Sequence, residues 1–247
     1  MPEWPRFPNA PINEALLDIR AKLPAATDLA RLARFQEGIR DRYPNRRERS
    51  TWQAGLELSP TGDVKVEPST GGTDGYLFTT SDGRRVVQAR LDGFTFNWLK
   101  PYDRWQTFRK EAKELWMLYV ETAAPEKVSR IALRYINQLN IPLPMKDFKD
   151  YIRTTPEIAP SLPQGLQNFL MRLEIPDPDS GSLAIVTQTM APPKGDTLSL
   201  IFDIDVIREQ AFDPGSPDLW AAFDQLGEFK NRIFFFSITE KAQELFK

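Results

Sequence analysis

The chain has 247 residues, 41% hydrophobic, 11% aromatic and 27% charged, with a formal net charge of −2 and neither histidine nor cysteine. Missing both residue types excludes Ser-His-Asp and Cys-His catalysis, imidazole or thiolate metal sites and disulfides. The near-neutral balance gives no global field for nucleic acid or an anionic membrane, and the length suits one large domain or two small units sharing a core.

Met1 to Pro5 has neither the basic nor the apolar region of a signal peptide, and no apolar run approaches the roughly 20 residues of a membrane helix. The expected address is therefore cytoplasmic, with no membrane partner. Ile12 to Arg20 predicts a strand, with Ala15, Leu17 and Ile19 on one face and Glu14, Leu16, Asp18 and Arg20 on the other. Thr27 predicts a helix N-cap, followed by the stripe Leu29, Leu32, Ala33, Phe35 and Ile39, and Pro44 is the stop.

Strand signals follow. Trp52 to Leu58 runs into Ser59-Pro60-Thr61-Gly62-Asp63, and a Ser/Thr/Gly stretch leads to Tyr76–Thr80. Val86–Leu91 and Phe94–Leu99 flank Asp92-Gly93, a strong hairpin signal. Pro101 opens a helix with apolar side Trp105, Phe108, Ala112, Leu115, Trp116 and Tyr119, ending at Ala123-Ala124-Pro125.

The second half repeats the order. Val128 to Ile141 reads as a strand and Met145 to Pro163 as a Pro-punctuated stretch holding a short helix. Gln167–Ile175, Ser182–Met190 and Thr197–Ile207 read as a meander. A final helix begins near Pro217-Asp218 and carries Leu219, Ala222, Phe223, Leu226, Phe229 and Ile233, with a terminal turn restarting at Thr239-Glu240. Two units, 1–124 and 125–247, each of strand, helical segment, antiparallel meander and long helix, predict an α+β fold with one continuous sheet and the helices on one face. The element order suggests tandem pseudo-duplication and looks like the TATA-binding-protein-like fold, in which two units set their first strands side by side.

Asn9-Ala10-Pro11-Ile12-Asn13-Glu14-Ala15-Leu16-Leu17-Asp18-Ile19-Arg20, Arg130-Ile131-Ala132-Leu133-Arg134-Tyr135-Ile136-Asn137 and Phe234-Phe235-Phe236-Ser237-Ile238-Thr239 occur in this order. Together they resemble a sporadically distributed family of uncharacterised bacterial proteins about this long. Where that family has Gly in the middle of the second motif, this chain has Ala132. The resemblance implies no activity. A patchy distribution implies an association with mobile-element or defence loci.

Several constellations offer chemistry. Glu14, Asp18 and Arg20 alternate on the first strand, as Arg130 and Arg134 do on its counterpart; they make either a ligand-gripping polar face or a cross-strand ion-pair ladder. Asn137 lies with Tyr135, Ile131 and Leu133 on the opposite face, where it either lines a cavity or ties down backbone. Trp98, Arg134 and Asn137 are the candidates for a small molecule held between sheet and helices. Asp203 and Asp205 project from one strand face and are weak metal candidates, lacking a third acidic ligand and a phosphate loop. Arg40, Arg42, Arg46, Arg47 and Arg49, with Tyr43 and Trp52, could stack on and neutralise nucleic acid, although a solvated loop is the ordinary state of such a run. Phe234 to Phe236 cannot all face one side of a helix, so one of them is expected at a protein contact or under the terminal turn.

The expected function is a non-catalytic interaction protein, a homo-oligomer or partner binder with no cofactor. A small-molecule sensor is the alternative and a carboxylate- or metal-dependent enzyme the second alternative.

Overall fold

The computed structural model describes residues 4–50, 53–58, 64–69 and 72–247. Among the described residues, eleven strands and four α-helices follow in chain order. They are β1 (Ile12–Lys22), α1 (Leu29–Ala33), β2 (Asn45–Ser50), β3 (Gln53–Leu58), β4 (Val64–Ser69), β5 (Thr73–Thr79), β6 (Arg85–Arg90), β7 (Gly93–Leu99) and α2 (Trp105–Ala123). Then come β8 (Lys127–Pro142), β9 (Leu170–Asp177), β10 (Ser182–Lys194), β11 (Thr197–Arg208), α3 (Pro217–Ser237) and α4 (Glu240–Glu244). Nine strands form one antiparallel sheet in the order β2-β5-β6-β7-β1-β8-β11-β10-β9, while β3 and β4 pair with each other. The α+β class agrees with the sequence.

The centre of the sheet is β1 against β8, with Leu17 opposite Leu133 and Ile19 opposite Ile131. From there the chain winds outward on both sides, β7, β6 and β5 on one and β11, β10 and β9 on the other. Period-two alternation decides what each face becomes. Ala15, Leu17, Ile19, Phe94, Phe96, Leu133, Phe202 and Ile204 are all fully buried on one face. Phe108, Leu115 and Trp116 from α2, and Phe223 and Leu226 from α3, pack against that face in one core. Edge-to-face and stacked aromatic pairs fill it, among them Phe94 with Trp116 and Phe96 with Phe108. Both long helices thus cover one side of the sheet and leave the other open.

Several elements differ from expectation. The first helix is a single turn capped by Asp28, whose carboxylate accepts from the Arg31 N–H, and it continues as a 3₁₀ turn over Arg34–Gly38. Asp28 wins over Thr27 because the Thr27 hydroxyl instead donates to the Ala123 carbonyl. Helix α2 starts at Trp105, four residues after Pro101. The stretch 145–163 holds only a 3₁₀ turn, Phe148–Asp150. Arg46, Arg47 and Arg49, expected in a loop, lie on the edge strand β2, where pairing with β5 supplies the order that their own pattern lacks. Trp52 and the Ser59–Asp63 turn lie outside the described residues.

The Asp92-Gly93 turn works as expected. Gly93 adopts φ +146°, and a Cβ there would run into the Ile19 carbonyl oxygen of the neighbouring strand. Gly93→Ala should lower the unfolding free energy by about 2 kcal/mol or more, read as a lower urea midpoint at unchanged slope.

Candidate functional site

The open sheet face carries most of the charged residues singled out in the sequence, and nearly all of them have partners. Asp18, only 7% exposed, accepts from Arg90 Nη1 at 2.8 Å and Thr95 Oγ1 at 2.7 Å through Oδ1, and from Arg130 Nη1 at 3.2 Å through Oδ2. Arg90 also donates from Nε to Asp92 at 2.8 Å, and Arg20 pairs with Asp92 as well. Farther along, Arg49 donates to Gln88 at 3.1 Å, Gln88 to Asn97 at 3.2 Å and Asn97 to Glu14 at 2.5 Å, a hydrogen-bonded row from β2 to β1.

This is a ladder, but its register corrects the expectation of acid facing base across β1 and β8. Arg20 lies directly opposite Arg130, and Asp18 lies opposite Ala132. The attraction runs diagonally, from Asp18 to Arg130, and laterally to β6 and β7. Arg134 turns the other way and grips Asp203 bidentately, at 2.9 and 2.6 Å. That pairing holds the Arg134 guanidinium in its charged form and occupies one of the two weak metal candidates. Burial raises the second, Asp205, above its ordinary value, and its Oδ1 has no partner among the described residues. No cluster of three or more potential metal ligands occurs among the described residues. Near the β2 edge, Tyr43 is fully buried with its hydroxyl donating to Glu111 at 2.9 Å, so it cannot stack on a base.

The helix side holds a different kind of place. A cleft of about 1230 Å³ opens between the N-terminal segment 4–12, the start of α2, β8 and α3. Trp4 stacks on Phe235 at 4.9 Å and donates its indole N–H to Glu228 at 2.9 Å, while Phe7 packs on Phe246. The segment is thereby strapped along α3. Trp105 donates to Asp224 at 2.9 Å, and Arg109 pairs with the same carboxylate at 2.8 Å. Gly227 offers no side chain where α3 passes β8 and Trp105, and this leaves room in the wall.

The cleft's polar groups converge on β8. The Tyr102 and Tyr135 hydroxyls share a hydrogen bond of 2.7 Å, and burial pushes both phenols well above their ordinary value. Asn137 donates its amide to the Phe202 carbonyl at 3.0 Å and the Tyr135 carbonyl at 3.3 Å, and its Oδ1 accepts no hydrogen bond among the described residues. Lys230 lays its ammonium 3.9 Å from the Tyr135 ring centre and donates to Asn231 Oδ1 at 2.6 Å. Burial pushes the Lys230 amine down to about 7, with Glu228 opposing part of that shift.

The candidate ligand set therefore divides. Asn137 lines the cleft and Trp98 lies just behind it, its ring against Tyr102 and its N–H on the Pro101 carbonyl. Arg134, Glu14, Asp18, Arg20 and Arg130 sit across the sheet and cannot reach it. Lys230, Tyr102 and Asp224 escaped sequence reasoning, yet a signal existed. Phe223, Leu226, Gly227, Lys230 and Phe234 share one helical stripe, so Lys230 stands on the apolar side of α3.

Two outcomes follow. Asp18→Ala leaves the buried Arg90 with the exposed Asp92 as its one carboxylate partner among the described residues and should cost about 3 kcal/mol in denaturant unfolding. For Lys230, the folded amine releases its proton near 7 and the unfolded one near 10.5. Below both values the folded state bears the cost of the buried charge. Between them only the unfolded chain stays protonated, so stability rises with pH, by up to about 1.4 kcal/mol per unit. Urea melts across that range should show the rise in the wild type and its absence in Lys230→Met, which gains most at the acid end. No family model and no curated protein matches the chain.

Proposed function

We propose that this chain binds a small molecule in the cleft between the N-terminal strap, α2, β8 and α3. The observation that carries the reading is convergence. Aromatic walls from Trp4, Phe7, Trp105 and Phe235 enclose a space the size of a cofactor or metabolite site, and a few polar groups meet at its floor. The Asn137 Oδ1 and the Lys230 amine both retain hydrogen-bonding capacity there. Trp98 supports the floor by backing Tyr102.

The interaction-protein reading rests on other features. Strand β9 is an outer edge of the sheet and exposes Leu170 at 74% and Ile175 at 37%; Phe236 is 69% exposed on α3. Such an edge suits strand addition by a partner or a second copy. Pro176, Arg172 and Glu174 on the same strand discourage pairing, so this reading ranks second. A link to mobile-element or defence loci remains part of it through the resemblance alone. Among the described residues no helix is long and apolar enough to cross a membrane.

The strand order supports reading the two halves as tandem copies of one unit in the TATA-binding-protein-like arrangement. Their first strands, β1 and β8, are neighbours, and each long helix follows its own meander.

Native mass spectrometry of gently purified protein should show a bound mass of metabolite size. Gly227→Leu, which puts a branched side chain beside Trp105 at the cleft wall, should lose it while melting within a few degrees of the wild type. A clean unliganded spectrum from native cells would remove the reading, and sedimentation as a dimer in that same preparation would favour the β9 edge.

A further inference from the structure

The surroundings of Lys230 narrow the class of ligand, provided that the cleft is a ligand site. An amine used to hold an anion normally has other cations or N–H groups beside it to share the charge. Around Lys230 Nζ the neighbours are electron-rich. They are the π face of Tyr135, the Oδ1 of Asn231 and, more distantly, Glu228. An anion placed there would meet repulsion from all three. These neighbours favour a cation, and a protonated imine is a cation centred on the same nitrogen. The Tyr102–Tyr135 hydroxyl pair adds two hydrogen-bonding groups, one of them on the ring over which Nζ rests.

We propose that Lys230 captures an aldehyde or ketone group of the cleft's ligand as a Schiff base. The neutral amine attacks the carbonyl carbon, forming the C–N bond and sending the carbonyl π pair to oxygen. That oxygen takes a proton, and the nitrogen loses one, giving a carbinolamine. Protonation of its hydroxyl releases water as C=N forms, so the net change is carbonyl, neutral amine and one proton to protonated imine and water, without oxidation or reduction. The amine is available for this near neutrality because burial has already brought it down to about 7, whereas exposed lysines remain almost wholly protonated.

Incubating the full-length protein at neutral pH with acetaldehyde or benzaldehyde and sodium cyanoborohydride converts any imine to a stable secondary amine. Peptide mapping should place that adduct on Lys230 at about tenfold or greater occupancy over every other lysine. Lys230→Arg keeps the charge and removes the nucleophile, and should return labelling to the background of surface lysines. The wild-type map is decisive by itself, so a poorly folded variant does not affect the test. Adducts spread over surface lysines with none preferred at Lys230 would overturn the proposal. The same map, alongside a metabolite-sized mass in native spectra, would overturn capture by Lys230 and leave the cleft as a non-covalent site.

Discussion

Leu17 faces Leu133 at the middle of the sheet, and this antiparallel pairing of β1 with β8 constrains everything outside it. With the helix-side residues of both strands fully buried, alternation forces Glu14, Asp18, Arg20, Arg130 and Arg134 onto the opposite face. A slip by one residue would drive those charges into the core, so register is set strongly. The opposite face must still accommodate a nearly buried Asp18, and it does so with Arg90, Thr95 and Arg130. Charges that look like a binding surface in one dimension thus become the cross-strand bonds that hold the sheet in register.

The cleft follows from the same centre. Helices α2 and α3 each pack over their own half of the sheet, and β8 is where their territories meet. Tyr135 and Asn137 rise from that strand where neither helix covers them fully. Gly227 keeps α3 from closing the gap, and the segment from Trp4 to Ile12 crosses it as a third wall. Polar groups are tolerable there because each is partly satisfied: tyrosine by tyrosine, Asn137 by two carbonyls, Lys230 by an aromatic ring and an amide oxygen.

Much of the architecture was legible because alternation in β1 and β8 and the aromatic stripes of α2 and α3 are long and regular. The Asp92-Gly93 turn was legible for a stereochemical reason, since few residues other than glycine accept its backbone. Strand β2 was not: Asn45-Arg46-Arg47-Glu48-Arg49-Ser50 has no apolar face, and its order comes entirely from β5. The partners of Asp18 and Asp203 were equally hidden, because they depend on which strands neighbour which and on diagonal reach. Of the candidate ligand residues, Asn137 stands out by its odd company on an apolar face. Lys230 carries the same mark on α3, but the stripe around it reads so well as core that the mark is masked.

That mark bears on what a chain without histidine or cysteine can do. Imidazole and thiolate change protonation near neutrality with modest help, whereas an amine must be withdrawn from water to do so. Withdrawal costs folding stability wherever the amine is still charged, and a methionine on the same helical position would carry no such cost. Lys230 thus breaks a local rule of core composition, and the break falls within the cleft, beside two hydrogen-bonded hydroxyls. Violations of that kind are where folded proteins most often keep their chemistry. On the open face most acids and bases satisfy one another, with the Asp205 Oδ1 an exception. Charge abundance points to one face of the sheet, but unrelieved cost beside an open cleft points to the other.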